Sequence, residues 1–120
     1  MRAGFGRGAR MGLVALALLG SAGAARAEDA PRVVAIQAQR FQFTPSEVRL
    51  KKGERVTLRL TSADVVHGMY VKALGIDTVA EPGKTTEVTI TPQTAGRFTA
   101  ICHHFCGSGH GNMHMVFVVE

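Results

Sequence analysis

The sequence predicts an all-β domain, a β-sandwich or small barrel of about seven short strands. Short runs alternate apolar and polar residues with the two-residue period of a strand, and turn residues separate them at regular intervals. No stretch beyond residue 27 has a convincing helical period, and the chain finishes on an apolar run suited to a buried strand.

Taken in order, Arg32–Gln39 places Val34, Ile36 and Ala38 on one face and Val33, Ala35 and Gln37 on the other, the pattern of a first strand. Phe41-Gln42-Phe43 alternates in the opposite phase, which predicts a bulge or bend near Arg40. Thr44-Pro45-Ser46 interrupts the run because proline has no amide hydrogen for a ladder. Glu47–Lys51 and Arg55–Ser62 follow, joined by Lys52-Gly53-Glu54. In the second run Val56, Leu58 and Leu60 alternate with Arg55, Thr57, Arg59 and Thr61, as in a strand with one wet face. Ala63–Val66 leads into a strand or strand edge at His67–Val71. Residues 75–80 read as irregular, and Glu81-Pro82-Gly83 as a turn. Lys84–Thr91, Arg97–Cys102 and Met115–Val119 complete the set, with Thr94-Ala95-Gly96 turning between the first two.

The formal charge of +5 is uneven along the chain. Arg2, Arg7, Arg10 and Arg26 lie in the first 27 positions, which contain no acid. Residues 28–120 then hold ten basic residues against nine acidic ones, too even a balance for the clustered basic face of a nucleic-acid binder. The first 27 residues have the layout of a secretory signal: a positive start, an apolar core from Met11 to Gly20, and a small-x-small site at Ala25-Arg26-Ala27. The run Met11–Leu19 falls short of the ~20 residues that a membrane span needs. The expected organisation is a cleaved signal at 1–27 and one domain at 28–120, periplasmic or otherwise exported and without a membrane span after cleavage.

The densest chemistry lies between two strand-like runs, from Ile101 to Met115. It holds both cysteines, four of the five histidines and two of the five methionines, spaced Cys-x3-Cys-x3-His-x2-Met. Soft sulfur and imidazole donors in one loop suit copper. Cys102 and Cys106 offer thiolates, His110 an imidazole and Met113 a thioether, with His67 folding back from upstream. Two Cys and two His are also a structural zinc set, and two cysteines in an exported chain can form a disulfide. A mononuclear blue-copper site needs only His67, Cys106, His110 and Met113. His103 and His104 read as loop histidines without side-chain ligation, His114 and Met115 as the start of the final strand on opposite faces, and Met69 and Met115 as core. Nothing pairs a nucleophile with a base or an acid with a base, so no enzyme is expected.

The segment Cys102-His103-His104-Phe105-Cys106-Gly107-Ser108-Gly109-His110-Gly111-Asn112-Met113 resembles the binuclear copper (CuA) loop of cytochrome c oxidase subunit II and nitrous oxide reductase. Ser62–His67, Glu81-Pro82-Gly83 and the run from Phe43 to Leu50 resemble the same family's first-histidine segment, following turn and opening strands. The resemblance covers residues 36–120. It implies a cupredoxin-like Greek-key β-sandwich of about seven strands and two copper ions per chain. Cys102 and Cys106 would bridge the ions, His67 and His110 would bind one each, and Met113 and the backbone carbonyl of His104 would be weak ligands. The implied role is passing single electrons between redox partners, a c-type cytochrome or a terminal oxidase. Delivery of copper to an oxidase is the competing expectation, motivated by the extra histidines. His104 replaces a glutamate common in the oxidase subunits, there is no tryptophan, and no transmembrane hairpin precedes the domain. These departures favour a free-standing exported protein over an integral subunit.

Overall fold

The structure is a computed structural model, and it describes residues 30–120 together with Gly4 and Gly12. The export signal expected at 1–27 lies, apart from those two glycines, outside the described residues. None of the described helices is long and apolar enough to cross a membrane.

Nine strands are described: β1 (Arg32–Gln39), β2 (Gln42–Thr44), β3 (Glu47–Leu50), β4 (Val56–Ser62), β5 (His67–Val71), β6 (Ile76–Ala80), β7 (Thr86–Ile90), β8 (Gly96–Ile101) and β9 (His114–Val119). The only helical pieces among the described residues are single 3-10 turns at Lys72–Leu74 and His110–Asn112. One sheet runs β2-β1-β4-β7 and the other β3-β9-β8-β5-β6. The chain repeatedly changes sheets, so β1 pairs with β4 in parallel and β3 with β9 in parallel.

Alternation explains the core between the sheets. Ile36, Ala38, Leu58 and Leu60 face inward from one sheet, and Met69, Val71, Ala100, Met115 and Phe117 from the other, all buried. On the outer face of β4, Arg59 reaches Glu87 of β7 at 2.8 Å and the Thr57 hydroxyl bonds the Thr89 hydroxyl at 2.9 Å. That is the polar face the alternation predicts, although Thr57 is itself covered by its partner.

Two expectations are corrected. The phase change near Arg40 is a reversal of the chain, not a bulge: Arg40 and Phe41 form a tight turn, and β2 folds back antiparallel on β1 with Gln39 opposite Gln42. A hairpin resolves the phase conflict because the second strand is free to choose its own inward face, and it turns Phe43 into the core. Residues 75–80 are not irregular. From Gly75, which adopts the left-handed conformation at φ 68°, the chain enters β6, paired antiparallel with β5. Only Ile76 and Ala80 of that strand are fully buried, too sparse a signal for alternation to reveal.

Candidate metal centre

His67 opens β5 and its side chain points inward, completely buried. Its Nε2–H donates to Asp64 Oδ1 at 2.6 Å. Asp64 in turn accepts the amides of Arg40 at 2.7 Å and Val65 at 2.6 Å. Partial burial pushes the Asp64 carboxyl up, but these three donors together hold it well below the usual carboxylate range. A carboxylate bound to Nε2 fixes the proton there and leaves the lone pair on Nδ1. Among the described residues, His67 Nδ1 is the one buried side-chain nitrogen or oxygen without a hydrogen-bond partner. Leaving such a group unmet costs about 1–3 kcal/mol.

The cysteines stand opposite it. The ligating atoms of His67, Cys102 and Cys106 all lie within 4.8 Å of one another. Cys102 follows β8 directly, and its amide donates to the Met113 carbonyl at 3.1 Å, closing the neck of the loop one step beyond the Ile101–His114 pair of the β8–β9 ladder. The two Sγ atoms are 3.6 Å apart and both thiols are free, so the disulfide reading does not hold. Cys102 Sγ–H donates to the His104 carbonyl at 3.2 Å. Cys106 Sγ lies 3.6 Å from His110 Nδ1 and 3.7 Å from Met113 Sδ. Burial, then the hydrogen bond and charge of Cys102, push the Cys106 thiol up to about 11.

All six groups named from the sequence, the His104 carbonyl included, therefore converge at one end of the sandwich. His110 comes from the 3-10 turn His110–Asn112, and Met113 N–H donates back to the His110 carbonyl at 3.2 Å. Met69 and Met115 are core residues. The His104 and His114 rings are turned outward, and their Nδ1 atoms lie 3.1 and 3.0 Å from the backbone carbonyls of Phe105 and Asn112.

The site also uses residues that sequence reasoning passed over. Asp64 lay only within a stretch of general resemblance, and its bond to His67 could not be seen before the loop was folded. Arg40 Nε donates to the Cys106 carbonyl at 2.9 Å. Phe41 lies across the loop, where a Cβ on Gly109 would come within 2.5 Å of its ring and one on Gly107 within 3.0 Å. The closeness of two glycines to an aromatic ring 65 or more positions earlier leaves no local signal.

An unpartnered imidazole nitrogen facing two thiols and a thioether fits a soft metal, and this donor set fits copper. A β-sandwich closed at one end around such donors has the makings of a copper-binding domain. The chain belongs to the cupredoxin-like domain family, whose sequence profile matches residues 10–119. It is similar to cytochrome c oxidase subunit 2 of Thermus thermophilus, with 32% identity over 80 residues covering 67% of this chain and 59% of the relative. It is also similar to nitrous-oxide reductase of Cupriavidus necator, with 34% identity over 91 residues covering 72% of this chain and 14% of the relative. Among solved structures, a heme-copper terminal oxidase dimer contains a chain that superposes with a TM-score of 0.69 at 27% identity, covering 78% of this chain and 67% of that one. The chain thus spans somewhat under two thirds of the length of the first of these sequence relatives and about a seventh of the second.

Proposed function

We propose that this chain carries single electrons between redox partners through a binuclear copper centre of the CuA type. In this reading Cys102, Cys106, His67 and His110 would hold two copper ions, the two thiolates shared between them, with Met113 Sδ and the His104 carbonyl as weak ligands. The pair of ions supplies one-electron oxidation and reduction with the charge shared over both. The remaining work falls to the protein. Asp64 holds the His67 ring in one orientation, and the Cys102–Met113 backbone bond fixes the neck of the loop. Burial of both sulfurs excludes water from them. A site with so little freedom changes shape little between oxidation states, which lowers the barrier to transfer.

The observation that carries the proposal is the buried His67 Nδ1, otherwise unsatisfied, facing two free thiols. Similarity to oxidase subunits supports a terminal oxidase or a c-type cytochrome as partner, and export followed by signal cleavage after residue 27 is part of the same reading. Copper delivery is the weaker alternative, because a donor that hands metal on needs accessible ligands and His67, Cys102, Cys106 and Met113 are buried.

Electron paramagnetic resonance on the copper-loaded chain, with copper counted on the same sample, tests the nuclearity. We expect two coppers per chain and hyperfine lines from one electron shared by both. The Cys102→Ser variant should retain a mononuclear signal; two coupled coppers in that variant would refute the bridging role. Reversible reduction and reoxidation by a c-type cytochrome or an oxidase tests the carrier role.

A further inference from the structure

The same crossing that brings His67 and Cys102 together inside the sandwich brings their chain neighbours, Gly68 and His103, together outside it. Gly68 belongs to the outer face of β5, yet it is buried. What covers it is His103: a Cβ on Gly68 would come within 2.1 Å of His103 Nδ1 and 2.8 Å of the His104 amide nitrogen. From this seat the ring stacks on Tyr70, with centroids 5.5 Å apart and planes 29° from parallel. Its Nε2–H donates to Asp77 Oδ1 at 2.7 Å. Tyr70 and Asp77 are direct cross-strand partners in the β5–β6 pairing, and Tyr70 also pairs with Ile101 at the end of β8. The imidazole is therefore gripped by both strands of one hairpin at the point where the backbone of the loop crosses it.

We propose that His103 is a positioning residue: clasped by Asp77 and Tyr70 over the bare backbone of Gly68, it fixes the distance between Cys102 and His67 before any metal is present. The clasp acts through its neighbours, because His103 is one peptide from Cys102 and Gly68 one peptide from His67. Only glycine at 68 lets the two backbones approach this closely. The proposal deepens the reading of His67 and Cys102 as partners in one metal centre and rests on it for its copper-loaded readouts, though not for its metal-free one.

The decisive substitution is at Asp77, whose side chain is 72% exposed and far less needed for folding than a core residue. Asp77→Ala removes the acceptor, whereas Asp77→Asn keeps an oxygen in its place. In the metal-free full chain, amide exchange at residues 103–106 should be at least about tenfold faster in Asp77→Ala and His103→Ala, and restored in Asp77→Asn. In the copper-loaded chain the same two alanine variants should lose copper to a chelator roughly tenfold faster and show an altered hyperfine pattern. Gly68→Ala, which expels the ring, should reproduce both changes. Wild-type exchange and an unchanged hyperfine pattern in Asp77→Ala would overturn the proposal, as would equal loss in the alanine and asparagine variants. A one-copper signal from the wild-type chain would refute the binuclear reading alone, with the metal-free exchange still deciding the clasp.

Discussion

His67 shows how much one side chain can be made to do by its immediate neighbours. Asp64 accepts a hydrogen bond from Nε2–H and so keeps the proton on that nitrogen, which leaves Nδ1 as a bare lone pair pointed at the cysteines. The thiols pose the opposite problem. With its proton held up to about 11 against an ordinary 9.0, Cys106 stays neutral in the metal-free protein and must release that proton when metal binds. The raised value also has a sign for stability. Between pH 9 and about 11 the unfolded chain loses the Cys106 proton while the folded chain keeps it, so the folded state is progressively disfavoured as pH rises through that window. The contribution is fully present below pH 9. The expected outcome is that the stability advantage of metal-free wild type over Cys106→Ala, measured by urea titration, shrinks from pH 9 to pH 11. The candidate donors of the loop were legible in the sequence because sulfur and imidazole so closely spaced have few other uses, whereas His67, 35 positions upstream of Cys102, was singled out through the family resemblance. Asp64, Asp77 and Arg40 were not, because an ordinary charged residue gains its role only from what the fold brings beside it.

At the scale of elements, the loop 102–113 is held from both sides. Strands β8 and β9 fix its neck, and the β1–β2 turn presses Phe41 against its glycines from above. Gly107 has a φ of 136°, in the region that side chains avoid, whereas Gly109 is needed for space alone. Gly109→Ala should therefore destabilise the chain by about 1–3 kcal/mol through the clash with Phe41. Adding Phe41→Ala should return part of that loss, which a double-mutant cycle by chemical denaturation would read as a coupling. The runs that became β1, β3, β4 and β7 were visible as alternation because each has one face in a core, and β5, β8 and β9 as short apolar runs set off by turns or by the donor loop. The strand β6 was hidden because Asp77, Thr78 and Val79 lie between its two buried ends. The β1–β2 reversal was misread for a related reason: the sequence showed that the phase changed but not which way the chain then travelled.

The whole molecule separates a scaffold from a site. Most of the inter-sheet core, including Leu58, Leu60, Ile36, Phe43 and Phe117, is hydrocarbon that needs no metal to pack, although Cys102, Cys106 and Met113 belong to the same cluster. Removing copper with a chelator is therefore expected to lower the thermal midpoint while leaving the far-ultraviolet β signature in place. With copper at 1,000 times its dissociation constant the loss is about 4 kcal/mol, or on the order of 20 °C for a domain of this size. Calorimetry and circular dichroism on one preparation would check both halves; loss of the β signature would show that the metal organises the scaffold. The strand β9 adds a consequence in time. It lies between β3 and β8 and carries the far wall of the donor loop, yet it follows every other described strand. As the polypeptide is made from its amino end, His67 must wait for Cys102, and the loop stays open until β9 has emerged to pair with a strand some seventy positions behind it. A chain interrupted before β9 would lack one wall of the pocket, so the geometry for holding a metal is complete only once this last strand is in place.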